Sequence, residues 1–505
     1  MAPHTVIFCL LFSFPLILFL LGHGRRRRSR KLPPGPPQLP IIGNLHQLGA
    51  APLVTLTEMA AEHGPLMFLR LGSIPTLVIS SSDAAREVIR HHDLAFSGRP
   101  ALFAAKKLSY GLLGVVFAPP GGYWRMARKV MMVELLSAKR VESFRKVREE
   151  EVARVVDSIR EHSSSSSSLS STIDLSKMVL SMANSIVCRA AFGEKHGGGG
   201  GGGGGVEIHR VLAEAQDVLG GFCVGDFFPW MRWIHGLDGL QARVEKVFKE
   251  LDGFYNQVIE EHLKKEPSSE HVDMVHVLLR LLEDPTHRKT FSSMDHIKGL
   301  LTDIFIAGTD TSAATTIWAM TELMRNPRVM NQVQREIRYL IGEKGKVEVS
   351  DLQNLHYLKM VINETFRLHA PVPLLVPHET AETCVIGDYE IPARTRVFIN
   401  AKAIGRDPLK WGNDAAEFSP ERFFGKEIDF TGSYFDFVPF GVGRRICPGI
   451  NFGVAAVQLI LANLLYCFDW ELPPGMKRDE LDLEESIGIT MHKKIPLCLV
   501  AKSHN

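Results

Sequence analysis

The sequence predicts a mainly α fold with small β-sheets, preceded by one N-terminal transmembrane helix. Three observations predict it. From about Pro52 onward, apolar residues recur at helical spacing over most of the chain. Only short pieces rich in β-branched residues interrupt them, each set between turn signals. At the front, residues 6–21 are apolar except for Ser13 and Pro15, and Arg25-Arg26-Arg27-Arg28-Ser29-Arg30-Lys31 follows at once.

A helix of that apolar length rises roughly 25 Å, close to the ~27 Å core of the endoplasmic reticulum bilayer. A cleaved secretory signal needs positive charge before the apolar stretch and a small-x-small site after it. Here only His4 precedes the run, and arginines fill the place of cleavage. The positive-inside rule then leaves the N-terminus in the lumen and the rest of the chain in the cytosol. The predicted organisation is a membrane anchor over 1–24, a basic and proline-rich hinge over 25–40 containing Leu32-Pro33-Pro34-Gly35-Pro36-Pro37, and one domain over 41–505. The seven cysteines form no C-x-x-C pair, which suits a reducing compartment and argues against a zinc ribbon or a disulfide framework. The sequon Asn363-Glu364-Thr365 is then expected to carry no glycan. A net charge of +2, from 58 basic and 56 acidic residues, gives no global field for nucleic acid.

Within the domain, strands are expected at Leu66–Leu71, 76–80, 384–391 and Arg396–Ile399. Helices are expected over 140–162, Leu175–Phe192, 208–219, Met294–Arg325 and 450–466. Serines at 163–168 and 170–171, and nine glycines at 197–205, cannot build a core and read as exposed insertions in loops between helices.

The chemistry-bearing segment is Phe440-Gly441-Val442-Gly443-Arg444-Arg445-Ile446-Cys447-Pro448-Gly449. Its glycines permit a tight turn with backbone close to a flat ligand, and Arg445 offers a carboxylate partner. Cys447 immediately precedes an apolar helical run, where unpaired amides and the helix dipole bias a thiol toward thiolate. A lone Cys-Pro pair is more often a buried free cysteine. Here Phe440, Gly443, Arg445 and Gly449 stand around it in a fixed pattern, and with them the chain resembles the cytochrome P450 superfamily.

That resemblance implies haem b with Cys447 as the axial thiolate ligand of its iron. It also gives meaning to motifs that are weak alone. Glu364-Thr365-Phe366-Arg367, followed by Pro420-Glu421-Arg422-Phe423, is similar to the family's structural triad, here Glu364, Arg367 and Arg422, whose role is folding and haem retention. In Ala307-Gly308-Thr309-Asp310-Thr311-Ser312, the Thr311 hydroxyl can bond the carbonyl four residues earlier and Gly308 lets the helix open. By resemblance, Thr311 and Asp310 deliver protons for dioxygen activation. Trp124 and Arg128 share a helix face and, with Arg445, are implied partners of the haem propionates. His378 stands where related plant enzymes usually have arginine, and is a further propionate partner whose charge depends on pH. Pro120 likewise replaces a more usual aromatic before Trp124.

The hinge, the Ala307 to Ser312 motif, Ala403-Ile404-Gly405-Arg406-Asp407-Pro408 and the Pro420 segment look like the plant A-type branch, the seventy-one clan. The branch implies a membrane-bound monooxygenase of the endoplasmic reticulum that acts on small apolar specialised metabolites such as terpenoids, aldoximes, phenylpropanoids and alkaloids. No dinucleotide fingerprint is present, so electrons are expected from NADPH through a separate NADPH–cytochrome P450 reductase. Lys129, Lys139 and Arg140 are the expected docking charges. Substrate contacts are expected from 108–117, 219–226, 304–311, 372–376 and 487–490, with Val372, Leu374, Leu375 and Ile489 offering no charge. Two other readings stay open: a haem-thiolate isomerase or dehydratase needing neither O2 nor reductase, and a haem-binding sensor. Asp310 and Thr311 speak against both.

Overall fold

The computed structural model describes residues 31–504, apart from 50, 166–171, 194–203, 265–271, 427, 429, 431 and 487. The apolar run at 6–21 and the arginines at 25–30, on which the membrane anchor rests, lie outside the described residues, as does Ile487.

Helices dominate and the sheets are small. One sheet places its strands in the order Leu66–Leu71, Ile74–Ile79, Arg396–Ile399, His378–Glu379. Its first pair is an antiparallel hairpin, while Ile74–Ile79 runs parallel to Arg396–Ile399 with Thr76 opposite Arg396. Leu77, Val78 and Ile79 have no exposed surface, which explains the unbroken apolar run there. A second sheet joins Ile173–Asp174, Cys498–Ser503 and Phe468–Glu471.

Three expectations change. The piece at 384–391 is not one strand but a hairpin of Cys384–Ile386 and Tyr389–Ile391. Gly387, at φ +54°, turns the chain back between them, a torsion most residues avoid. The helix expected over 140–162 divides into Ala138–Ser143 and Arg145–Ser165, with Phe144 between them. At the break the Val141 carbonyl accepts from the buried Arg148 guanidinium. The serine tract, expected in a loop, begins inside that second helix, and Ser163 Oγ donates to Ile159 and Ala501 carbonyls at 2.8 and 3.1 Å. The helix Gly204–Gly220 likewise starts in the last of the glycines. The remainder of both tracts lies outside the described residues.

Two apolar helices make the centre. Met294–Arg325 packs against Leu175–Phe192 on one side and Ile450–Cys467 on the other. Ile450–Cys467 is long and apolar enough to cross a membrane, with a mean hydropathy of 1.7, yet 67% of it is buried inside the domain. Leu459, Ile460 and Leu461 on it have no exposure, each burial stabilising by roughly 1.5–3 kcal/mol. The central helix Met294–Arg325 and the turn before Ile450–Cys467 thus face one another across the site.

Candidate active site

A cavity of about 280 Å³ lies between the central helix and the Cys447 turn. That turn is a tight 3-10 segment, Gly443–Arg445, with Gly443 at φ +69°. An L side chain is strained at that torsion, and a Cβ there would also crowd Asp93 Oδ1 at 2.7 Å. Asp93 in turn binds the Arg444 Nε at 2.6 Å. The Cys447 amide donates to the Phe440 carbonyl at 2.9 Å, and Phe440 packs edge-on against Phe366, 5.0 Å away. Gly449 N–H points at Cys447 Sγ from 3.3 Å. Burial nevertheless pushes this thiol up, against the pull of Gly449 N–H and of Arg128. The expected thiolate bias at the helix start is therefore outweighed by desolvation in the protein alone. Metal coordination removes such a proton outright.

Beside the sulfur, four basic side chains converge on the cavity. Arg445 donates to the Ser97, Val115 and Ala118 carbonyls at 2.9, 3.2 and 2.6 Å. Arg128 donates to Ile446 O at 2.7 Å. His378 Nδ1 lies 2.8 Å from Phe96 O, so that nitrogen carries the proton. The fourth, Arg99, escaped sequence reasoning. It donates to Val116 O at 3.0 Å, Pro377 O at 2.8 Å and Val376 O. The only local signal for it is an arginine pinned between Gly98 and Pro100 in an apolar stretch; a Cβ on Gly98 would sit 2.3 Å from Glu379 O, so the two segments are closely apposed.

The electrostatics test whether haem fits. Burial, then the charges of Arg445 and Arg128, hold Arg99 well below its ordinary value. Burial and Arg128 bring Arg445 to about 10. Burial, then Arg99, drive His378 well below the imidazole range, so it is neutral. No carboxylate pairs with these groups among the described residues. A cluster of this kind asks for a dianion, and a flat ligand bearing two propionates and a thiolate-seeking metal supplies it.

Trp124 is placed differently from the expectation. Its indole N–H donates to Val115 O at 3.2 Å and does not face the cavity, while its ring carries Arg445 at 4.2 Å. It is a support for an arginine in this geometry.

Across the cavity, Thr311 Oγ1 donates to Ala307 O at 2.8 Å. The helix runs uninterrupted through Gly308, contrary to the expected opening. A Cβ on Gly308 would reach Val187 of the neighbouring helix at 3.3 Å, so close helix packing explains this glycine. Asp310 faces the other way, where His492 Nε2 meets its Oδ1 at 2.8 Å.

Behind the Cys447 side, Glu364 and Arg367 are fully buried and doubly bonded at 2.6 and 2.7 Å, and Arg422 Nε reaches Glu364 at 2.9 Å. Arg367 also donates to the Gly405, Ala415 and Glu417 carbonyls, which fixes the meander between them.

The substrate segments meet the cavity in part. Leu108, Phe117, Leu219, Val372, Leu375 and Ile489 line it; Leu374 packs in a separate core, and nothing from 220–226 reaches it. Asp226 instead accepts from Phe103 N at 2.9 Å. A carboxyl group also lines the cavity, Asp303, one residue before the expected segment. Asp303 accepts from Val116 N at 3.0 Å, and burial pushes it up to about 7.

A thiol at a helix start, facing a cavity whose rim holds uncompensated guanidinium groups, defines the haem-thiolate class of proteins. The comparisons carry this further. The family model described as Cytochrome P450 matches residues 33–499. The chain is 49% identical to strychnine-11-hydroxylase of Strychnos nux-vomica over 98% of this chain and 97% of that one. It is 50% identical to cytochrome P450 71A9 of Glycine max over 98% of each chain. A zebra fish cytochrome P450 structure with progesterone superposes with a TM-score of 0.74 at 22% identity, covering 90% of this chain and 100% of that one. The chain belongs to the cytochrome P450 family, in the plant seventy-one clan, and is a P450 monooxygenase whose haem takes a cysteine thiolate.

Proposed function

We propose that the protein inserts one oxygen atom from O2 into a small apolar plant specialised metabolite, a terpenoid, aldoxime, phenylpropanoid or alkaloid. Electrons come from NADPH through NADPH–cytochrome P450 reductase. The observation that carries this reading is the cavity itself, apolar over most of its wall and lined by both Thr311 and Cys447. The name of the strychnine hydroxylase relative supports hydroxylation as the reaction.

Haem, when bound, supplies the activation of dioxygen. The protein's own groups do the rest. Cys447 would hold the haem iron through its thiolate, and Gly449 N–H would temper the charge on that sulfur. Arg99, Arg128 and Arg445 would hold the propionates, with Trp124 backing Arg445. His378, proton-bearing on the nitrogen turned to Phe96, would present its Nε2 as an acceptor at the propionate end of the cavity, to a propionate in its protonated form. Thr311 and Asp310 move protons, and Leu108, Val372 and Ile489 orient an apolar substrate and exclude water. Glu364, Arg367 and Arg422 keep the thiolate side folded. Residues 1–24 anchor the chain to the endoplasmic reticulum, the hinge at 25–40 spaces the cytosolic domain at 41–505 from it, and Lys129, Lys139 and Arg140 receive the reductase.

The test is to express the full chain in microsomes with reductase and screen terpenes, aldoximes and phenylpropanoids. NADPH- and O2-dependent product, and the thiolate-type Soret band after reduction and carbon monoxide, are expected. Product formed without NADPH, or the band of a histidine-ligated haem, would overturn the reading.

A further inference from the structure

We propose that His492 is the proton inlet of this site: it takes protons from water on the far side of the central helix and passes them to Asp310. The inference rests on the reading above that Asp310 and Thr311 supply protons.

The central helix separates two hollows. Ala307, Gly308 and Thr311 face the haem cavity. Ala313, Ala314 and Ile317 face a second hollow of about 340 Å³, and Asp310 falls on that stripe by helical spacing. The second hollow opens toward solvent past Lys177, which is exposed, and Asp174. His492 lines it too and reaches through to Asp310. The acid's side chain is only 8% exposed, the imidazole's 36%, so the imidazole is the wet end of the pair.

An imidazole suits this place because its two nitrogens act together. Water in the hollow gives a proton to Nδ1, Nε2 gives its proton to Asp310 Oδ1, and the ring resets by losing the Nδ1 proton through water to Nε2. One proton enters and one leaves the ring in each pass, and no electrons move. The neighbouring Lys493 is turned away, over the Trp318 ring at 5.5 Å and near Asp482, and does not compete for Asp310.

A purely structural clamp is the rival explanation, and the loop does not need one. Met491, next in chain, donates its amide to Pro371 O at 2.8 Å and accepts from Trp318 Nε1 at 2.8 Å; Ser486 N donates to His492 O at 2.9 Å.

His492→Gln separates the two, because its amide can still donate to Asp310 but cannot relay a proton. In the reductase-supported holoenzyme, NADPH consumption, product and hydrogen peroxide are followed in H2O and D2O, using the first panel compound that shifts the haem spectrum. H492Q is expected to lower coupling about fivefold and raise the solvent isotope effect, with the haem spectrum unchanged. Asp310→Asn is expected to do the same, and the double variant to be no worse than D310N alone. Wild-type coupling in H492Q beside an impaired D310N overturns the inlet and leaves the Asp310 reading standing. Wild-type coupling in D310N overturns both. Should H492Q lose haem, His492→Asn provides the same comparison.

Discussion

Arg445 and Trp124 share one acceptor: both donate to the Val115 carbonyl at 3.2 Å, and the guanidinium lies over the indole ring at 4.2 Å. The tryptophan therefore positions a cation through its face as well as through a common bond. Cation–π contacts contribute about 0.5–2 kcal/mol. Trp124→Phe keeps a face and loses the N–H; Trp124→Leu loses both. Haem transfer to excess apoglobin is expected to quicken several-fold in W124L and less in W124F, and equal rates in the two variants would contradict the stacking role.

Arg99 contributes differently to the protein with and without haem. Alone, it is repelled by Arg445 and Arg128. With propionates present it gains a partner. Arg99→Gln is expected to lower the melting temperature of the haem-loaded protein by more than that of the haem-free protein, and to speed haem loss roughly tenfold. Calorimetry on both forms checks it; equal losses would mean that Arg99 only staples its three carbonyls.

Glu364 neutralises two arginines in a fully buried setting. Glu364→Gln leaves Arg367 charged, buried and short of its partner, at a cost of about 3–5 kcal/mol. The expected result is little or no haem-containing protein. Arg422→Lys, at a site with exposed Asp414 beside it, should retain a measurable fraction. The reduced carbon monoxide spectrum per milligram of protein reads both.

Asp303 makes stability depend on pH. Its folded value of about 7 lies above the ordinary 3.8, so the folded state binds the extra proton between those values. The contribution is fully present at low pH and is lost as pH rises through about 7. Asp303→Asn keeps an acceptor for Val116 and does not titrate. The melting temperature of D303N relative to wild type is therefore expected to rise between pH 5 and pH 8, by a few degrees. A flat difference would show that Asp303 is ionised throughout.

What the sequence made legible was local. The Thr311 to Ala307 bond and the Glu364 to Arg367 pair are helical spacings, and the boundaries of Leu175–Phe192 and Met294–Arg325 follow from apolar periodicity. What it hid was made across the chain. Arg99 is defined by carbonyls 277 and 278 residues away, Asp303 by an amide 187 residues away, and His492 by an acid 182 residues away. Trp124 was hidden for the opposite reason, since a carbonyl nine residues back takes its N–H before any ligand can.

The short stretch from Val115 to Ala118 receives Trp124, Arg445, Arg99 and Asp303 on its backbone, three of them from the haem side and one from the central helix. In the preceding half of the same loop Tyr110 and Leu112 adopt left-handed torsions, and the side-chain bonds differ: Tyr110 donates its hydroxyl to Asp252 at 2.9 Å, and the Leu113 carbonyl accepts from the Tyr123 hydroxyl. Of residues 110–118, it is Val115, Val116 and Phe117 that line the cavity, so the wall that meets the substrate and the rail that steadies the cofactor's cations are one piece of backbone, and a change that reshapes the first also moves the second.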